Sequence, residues 1–84
     1  MKVGEVWENH NSLNGPDELI QLIITGFYYR ENYSETIIHT AAYRLYKNDE
    51  LNRKTRGTNF GDYFRNEFVE YFHKIADSAD ELND

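Results

Sequence analysis

Glu70-Tyr71-Phe72-His73 has the E-x-x-H spacing that supplies ligands in carboxylate di-iron helical bundles, and Glu35 with His39 offers a second carboxylate–imidazole pair four residues apart. Such ligands must project into a bundle and be oriented by further hydrogen bonds behind them. Both pairs lie off the apolar stripes of the helices expected to carry them, and a chain of 84 residues cannot make four long helices. No metal or cofactor is therefore expected. Ser12, Ser34 and Ser78 have no neighbouring base, and His10, His39 and His73 are dispersed. No G-x-S-x-G elbow, phosphate-binding glycine loop or dinucleotide fingerprint occurs. No catalytic residue is assigned, and the expectation is a protein that is not an enzyme.

Two constellations remain, both suited to binding. Arg44, Lys47, Arg53, Lys54 and Arg56, with Arg65 beyond them, form the basic part of the chain. A helix opening near Thr58 would add amide groups able to hold an anion. That grouping supports one reading, a nucleic-acid-binding regulator using residues 44–56. Charge argues against it, because Asp62, Glu67 and Glu70 would face phosphates on a recognition helix. The second constellation is acidic. On one helix, Glu67, Glu70, Asp77, Asp80 and Glu81 space carboxylates about a turn apart, ~5.4 Å. This approaches the spacing of phosphates along a nucleic-acid strand. Such a ridge can occupy a cationic, nucleic-acid-binding surface of a partner protein, steered there by charge. A mixed aromatic and polar stripe of His39, Tyr43 and Tyr46, ending at Glu50, supplies a second contact surface.

The elements expected to position these residues are helices over 16–32, 34–51 and 59–81, after an irregular or strand-like arm over 1–14. Pro16 before Asp17-Glu18 reads as a helix start. Leu19, Ile20, Ile23, Ile24 and Phe27 then share a face at helical spacing. Ser34-Glu35 reads as a cap, followed by an inward stripe of Ile37, Ile38, Ala41, Ala42 and Leu45. Phe60, Phe64, Phe68, Tyr71, Ile75 and Leu82 line the third helix. Against this, Ile23-Ile24-Thr25-Gly26-Phe27-Tyr28-Tyr29 has the composition of a strand. The expected fold is an all-α three-helix domain spanning 1–84, a small helical bundle; the alternative is α+β, with the arm and residues 23–29 paired as a short hairpin.

Composition bounds the function. The net charge is −6. Residues 1–35 carry Lys2 and Arg30 against six acids, a balance of −4, while residues 57–84 carry Arg65 and Lys74 against seven, a balance of −5. This disfavours non-specific contact with nucleic acid or an anionic membrane. Seven tyrosines, five phenylalanines and one tryptophan supply much of the apolar area, and tyrosine works well half in and half out of an interface. The absence of cysteine excludes disulfides and thiolate chemistry and fits a reducing compartment. With no signal-like start and no apolar stretch of about 20 residues, a cytoplasmic protein is expected. In size, acidity, tyrosine content and lack of cysteine the chain resembles the small inhibitor proteins of phages and mobile elements, DNA mimics among them. That likeness is one of composition and assigns no residue. The sequence thus leads to a small, acidic, non-enzymatic protein that binds a basic surface on another protein. A homo-oligomeric structural or adaptor domain, a homodimer for example, that buries leftover aromatic stripes is the third reading.

Overall fold

The computed structural model describes residues 1–9, 18–47, 50–52 and 59–82. The elements are β1 (Val6–Asn9), β2 (Glu18–Arg30), β3 (Glu35–Lys47), β4 (Glu50–Asn52), β5 (Asn59–Phe64), α1 (Arg65–Tyr71), β6 (Phe72–Ala76) and a 3-10 turn (Ala79–Leu82). They form one antiparallel sheet in the order β4-β3-β2-β1-β6, with β5 also paired to β3. The all-α helical bundle expected from periodicity is overturned: among the described residues the α-helix is confined to seven residues, and the rest of the regular structure is mainly sheet.

The reason lies in β2 and β3. Isoleucine, threonine and aromatic residues dominate both, and their branched or bulky side chains suit a pleated surface. Ile20, Leu22 and Ile24 alternate into one buried face, while Ile23 points to the other and is itself half-buried. A strand covered on both faces loses its visible alternation, and its apolar residues then imitate helical spacing. β2 and β3 pair from Glu18 opposite Lys47 to Arg30 opposite Glu35, with irregularities between Gln21 and Leu22 and between Ile24 and Gly26. The hairpin closes through residues 31–34. There the Tyr33 N–H donates to the Arg30 carbonyl at 3.2 Å, and Ser34, read as a helix cap, instead takes a positive φ of 50°. The start signal Pro16-Asp17 lies outside the described residues; from Glu18 onward the chain is strand.

β3 organises the rest. One edge faces β2. The other receives β5 opposite Ile37–Ala41 and then β4 opposite Leu45–Lys47. β1 lies on the far side of β2, opposite residues 21–23, and β6 pairs beyond β1. The chain therefore runs from β5 at one side of the sheet, through α1, to β6 at the other.

The long third helix is also corrected, to strand, short helix, strand and 3-10 turn. Helix α1 has no side-chain cap and is too short to persist alone. It is held by Phe68, which is fully buried among Ile20, Leu22, Ile24, Ile38 and Phe72. The Phe68 ring stacks on Phe72 at 4.8 Å and meets Trp7 at 5.1 Å and Tyr63 at 5.5 Å. On the opposite face Val6, Tyr43 and Ala76 form a smaller cluster, joined by Ile23, Ile75 and the 3-10 turn residues Ala79 and Leu82.

Candidate functional site

The end of the β2–β3 hairpin carries two rows of side chains across three strands. Tyr28 lies opposite Ile37, which lies opposite Phe64; Gly26 lies opposite His39, which lies opposite Asp62. The rows sit two residues apart on each strand, so the pleat turns both to the same face. Gly26 presents no side chain, and the His39 ring lies toward Tyr28, with centroids 4.3 Å apart. His39 Nδ1 is 2.6 Å from Asp62 Oδ1. Arg30, two residues beyond Tyr28, holds its guanidinium 5.2 Å over the Tyr28 ring and donates from Nη2 to the Tyr28 hydroxyl at 3.2 Å. Tyr33, in the turn, meets Phe64 edge-on at 5.6 Å.

These residues surround an open depression of about 320 Å³, lined by Tyr28, Arg30, Tyr33, Ile37, Asp62, Tyr63, Phe64 and Glu67. That volume is at the small end of ligand-binding clefts, roughly 300–1,000 Å³. Three tyrosines and a phenylalanine supply its walls. Its fixed charges are one cation, Arg30, and two carboxylates, Asp62 and Glu67. Tyr28 is the largest influence on Arg30, and with Tyr33 and Asp62 it raises the guanidinium above its ordinary range, keeping it charged. Burial pushes the Tyr63 phenol up, so it too stays protonated. The His39–Asp62 pair could serve as a base, but the depression offers it no serine, threonine or cysteine nucleophile. The geometry suits recognition.

The residues singled out from sequence are dispersed. Glu67 and Glu70 are exposed on α1, while Asp77, Asp80 and Glu81 are exposed after β6 and in the 3-10 turn. The single-helix ridge is thus replaced by two groups separated by a strand. Asp77 pairs with Lys74, and its N–H donates to Glu81 at 2.9 Å. Glu67, Glu70 and Asp80 have no ion-pair partner among the described residues. Of the second stripe, His39 lies beside the depression, in contact with its lining residues Tyr28 and Asp62, but Tyr43 is buried against Val6 and Ala76, with its hydroxyl 3.5 Å from the Ala79 carbonyl. Tyr46 and Glu50 pair within the sheet; their side chains lie outside the described residues.

Arg44 stacks 5.0 Å over Tyr43 and donates to the Leu82 carbonyl at 3.2 Å, so it braces the 3-10 turn. Lys47 ends β3, opposite Glu18 and Glu50, with its side chain outside the described residues; Arg53, Lys54 and Arg56 lie outside them altogether. The E-x-x-H is divided between α1 and β6, where His73 lies 3.5 Å from Glu8. Glu35 and His39 share a strand face but stand about 13 Å apart along it. No cluster of three metal-ligating side chains occurs among the described residues.

Tyr28, Arg30, Tyr33 and Asp62 were missed as a group from sequence. Read as strands, Tyr28 and Arg30 are neighbours on one face at a spacing of two. Read as a helix, they are not. Asp62 reaches them only through the register of β5 on β3. Comparison with known proteins gives no match among family models, curated proteins or solved structures. Among the described residues no helix is long and apolar enough to cross a membrane.

Proposed function

We propose that the chain is a non-enzymatic binding module that captures a partner protein through a basic surface. The observation that carries this is the depression at the hairpin end, where aromatic walls meet Asp62 and Glu67 and the exposed Glu70 follows on α1. Aromatic rings supply contact area at little entropic cost, and the carboxylates select for positive charge. A nucleic-acid-binding protein, which meets phosphates with lysine and arginine, presents such a surface. Occupying it would inhibit that protein, without requiring carboxylates at helical spacing.

The test uses a labelled arginine-rich dodecapeptide and variants of equal net charge. Glu67→Lys with Glu70→Lys should weaken binding by at least tenfold. Asp80→Lys with Glu81→Lys, on the remote turn, should leave it within about twofold. Equal losses from both pairs would reduce the effect to overall charge and end the proposal.

A further inference from the structure

The hairpin depression holds a guanidinium of its own chain. Arg30 reaches from the end of β2 and lays its guanidinium over Tyr28, within hydrogen-bond reach of that residue's hydroxyl. Yet Arg30 is exposed, and the depression stays open with Tyr33, Phe64, Asp62 and Glu67 around it. Two carboxylates against one guanidinium leave an excess of one negative charge. A cation over an aromatic face, with carboxylates at the rim, gains from the ring quadrupole and from charge together.

We propose that the depression is a receptor for a single arginine side chain of the partner, and that Arg30 is an internal stand-in which the incoming guanidinium displaces from Tyr28. The inference rests on the basic-partner reading and gives it a point of contact. The planar guanidinium stacks on Tyr28 between the Tyr33 and Phe64 edges and donates to Asp62 and Glu67. A guanidinium fits better than an ammonium because its flat face can stack while its edge donates in a fork. His39, beside the depression, packs against Tyr28 and holds the Asp62 carboxylate in place, and Tyr63 is the one further titratable side chain of the lining. Displaced Arg30 has water beyond the hairpin to enter, so its release requires no rearrangement of the sheet.

The probe is a blocked pentapeptide, Gly-Ser-Arg-Ser-Gly, compared with the same peptide carrying norleucine. Amide and aromatic NMR signals of the full chain are followed during titration. The arginine peptide should move the signals of Tyr28, Tyr33, Asp62 and Phe64, and the norleucine peptide should leave them in place. Arg30→Gln should tighten binding roughly fivefold by removing the competitor, Tyr28→Leu should weaken it roughly fivefold by removing the ring face, and Glu67→Gln should weaken it by a similar factor. Unchanged or weaker binding in Arg30→Gln, or equal shifts from the norleucine peptide, overturns the inference. If the dodecapeptide still loses affinity in the α1 reversal pair while the pentapeptide moves nothing at the hairpin, the arginine receptor fails and the binding module stands.

Discussion

Glu5 shows how much of this small protein depends on single placements. Its carboxylate is almost fully buried, accepts from Trp7 Nε1 at 3.1 Å and lies 3.3 Å from Lys74 Nζ. Burial alone would push the Glu5 carboxyl up, but the bonds from Trp7, the Lys2 backbone and Lys74 outweigh it and hold it below its ordinary value. Lys74 also holds Asp77 down, and those two acids together raise Lys74. The acids therefore contribute stability that is fully present above their unfolded values and is lost as pH falls through the lower folded ones. Lys74 contributes stability that is lost only as pH rises through its raised value. Thermal melts should show an acid-side fall below the ordinary carboxylate range, and Glu5→Gln should flatten it while lowering the melting temperature near neutrality. A variant as acid-sensitive as the parent would show that Glu5 does not set that limb. Gly4 just before it has a φ of 96°, a value side-chain-bearing residues resist, so Gly4→Ala should cost about 1 kcal/mol in denaturant melts. At this scale the sequence was legible for Trp7, the single tryptophan, whose large apolar side chain packs against the core. It was not legible for Tyr43: one of seven tyrosines, it carries no local mark of being buried.

The β2–β3 hairpin and α1 divide the labour of the fold between element types. The hairpin supplies both faces of the sheet, and α1 covers one of them through Phe68. Phe68→Ala should cost roughly 3–5 kcal/mol, the range for deleting a buried phenylalanine. Against a total of about 5–15 kcal/mol, that leaves the variant close to unfolding, which urea melts would register as a large fall in midpoint. Val69→Ala, one residue on and exposed, should change the midpoint little. Phe68 was legible as a core residue because it is apolar at helical spacing from Phe64 and Tyr71, whether the helix has the seven residues observed or the longer span expected over 59–81. The helix boundaries were not, because Phe60, Phe72 and Ile75 continue that spacing by accident while serving as strand residues. The strand-like composition of residues 23–29 was visible. What decides for strand is the pairing with residues 36–41, and a non-local partner leaves no mark in a single window. The depression was hidden for the same reason, since Tyr28, His39, Asp62 and Phe64 meet only across three strands.

The whole molecule is closed by its last strand. β1 has β2 on one edge and β6 on the other, so residues 6–9 are held by residues 72–76 from the far end of the chain. That closure is also where the two apolar clusters and the charged group meet. Phe72 belongs to the helix-covered cluster, Ala76 to the opposite one, and Lys74 to the Glu5 pair. Ending the chain after Tyr71 would remove all three at once. It would bare one edge of β1, expose Phe68 and Trp7, and leave the Glu5 carboxylate without its cation. An uncompensated acid in a buried site costs several kcal/mol by itself, comparable with the full stability of so small a chain. Residues 1–71 should therefore show no cooperative thermal transition by circular dichroism and should associate on size-exclusion chromatography, although α1 and strands β1 to β5 remain in the sequence. Adding residues 72–84 back as a separate peptide should restore the transition in proportion to peptide concentration, because the strand docks by main-chain pairing and three side chains that the truncated chain still expects. A truncated chain that melts cooperatively without the peptide would show that β6 is an attachment to an already complete sheet.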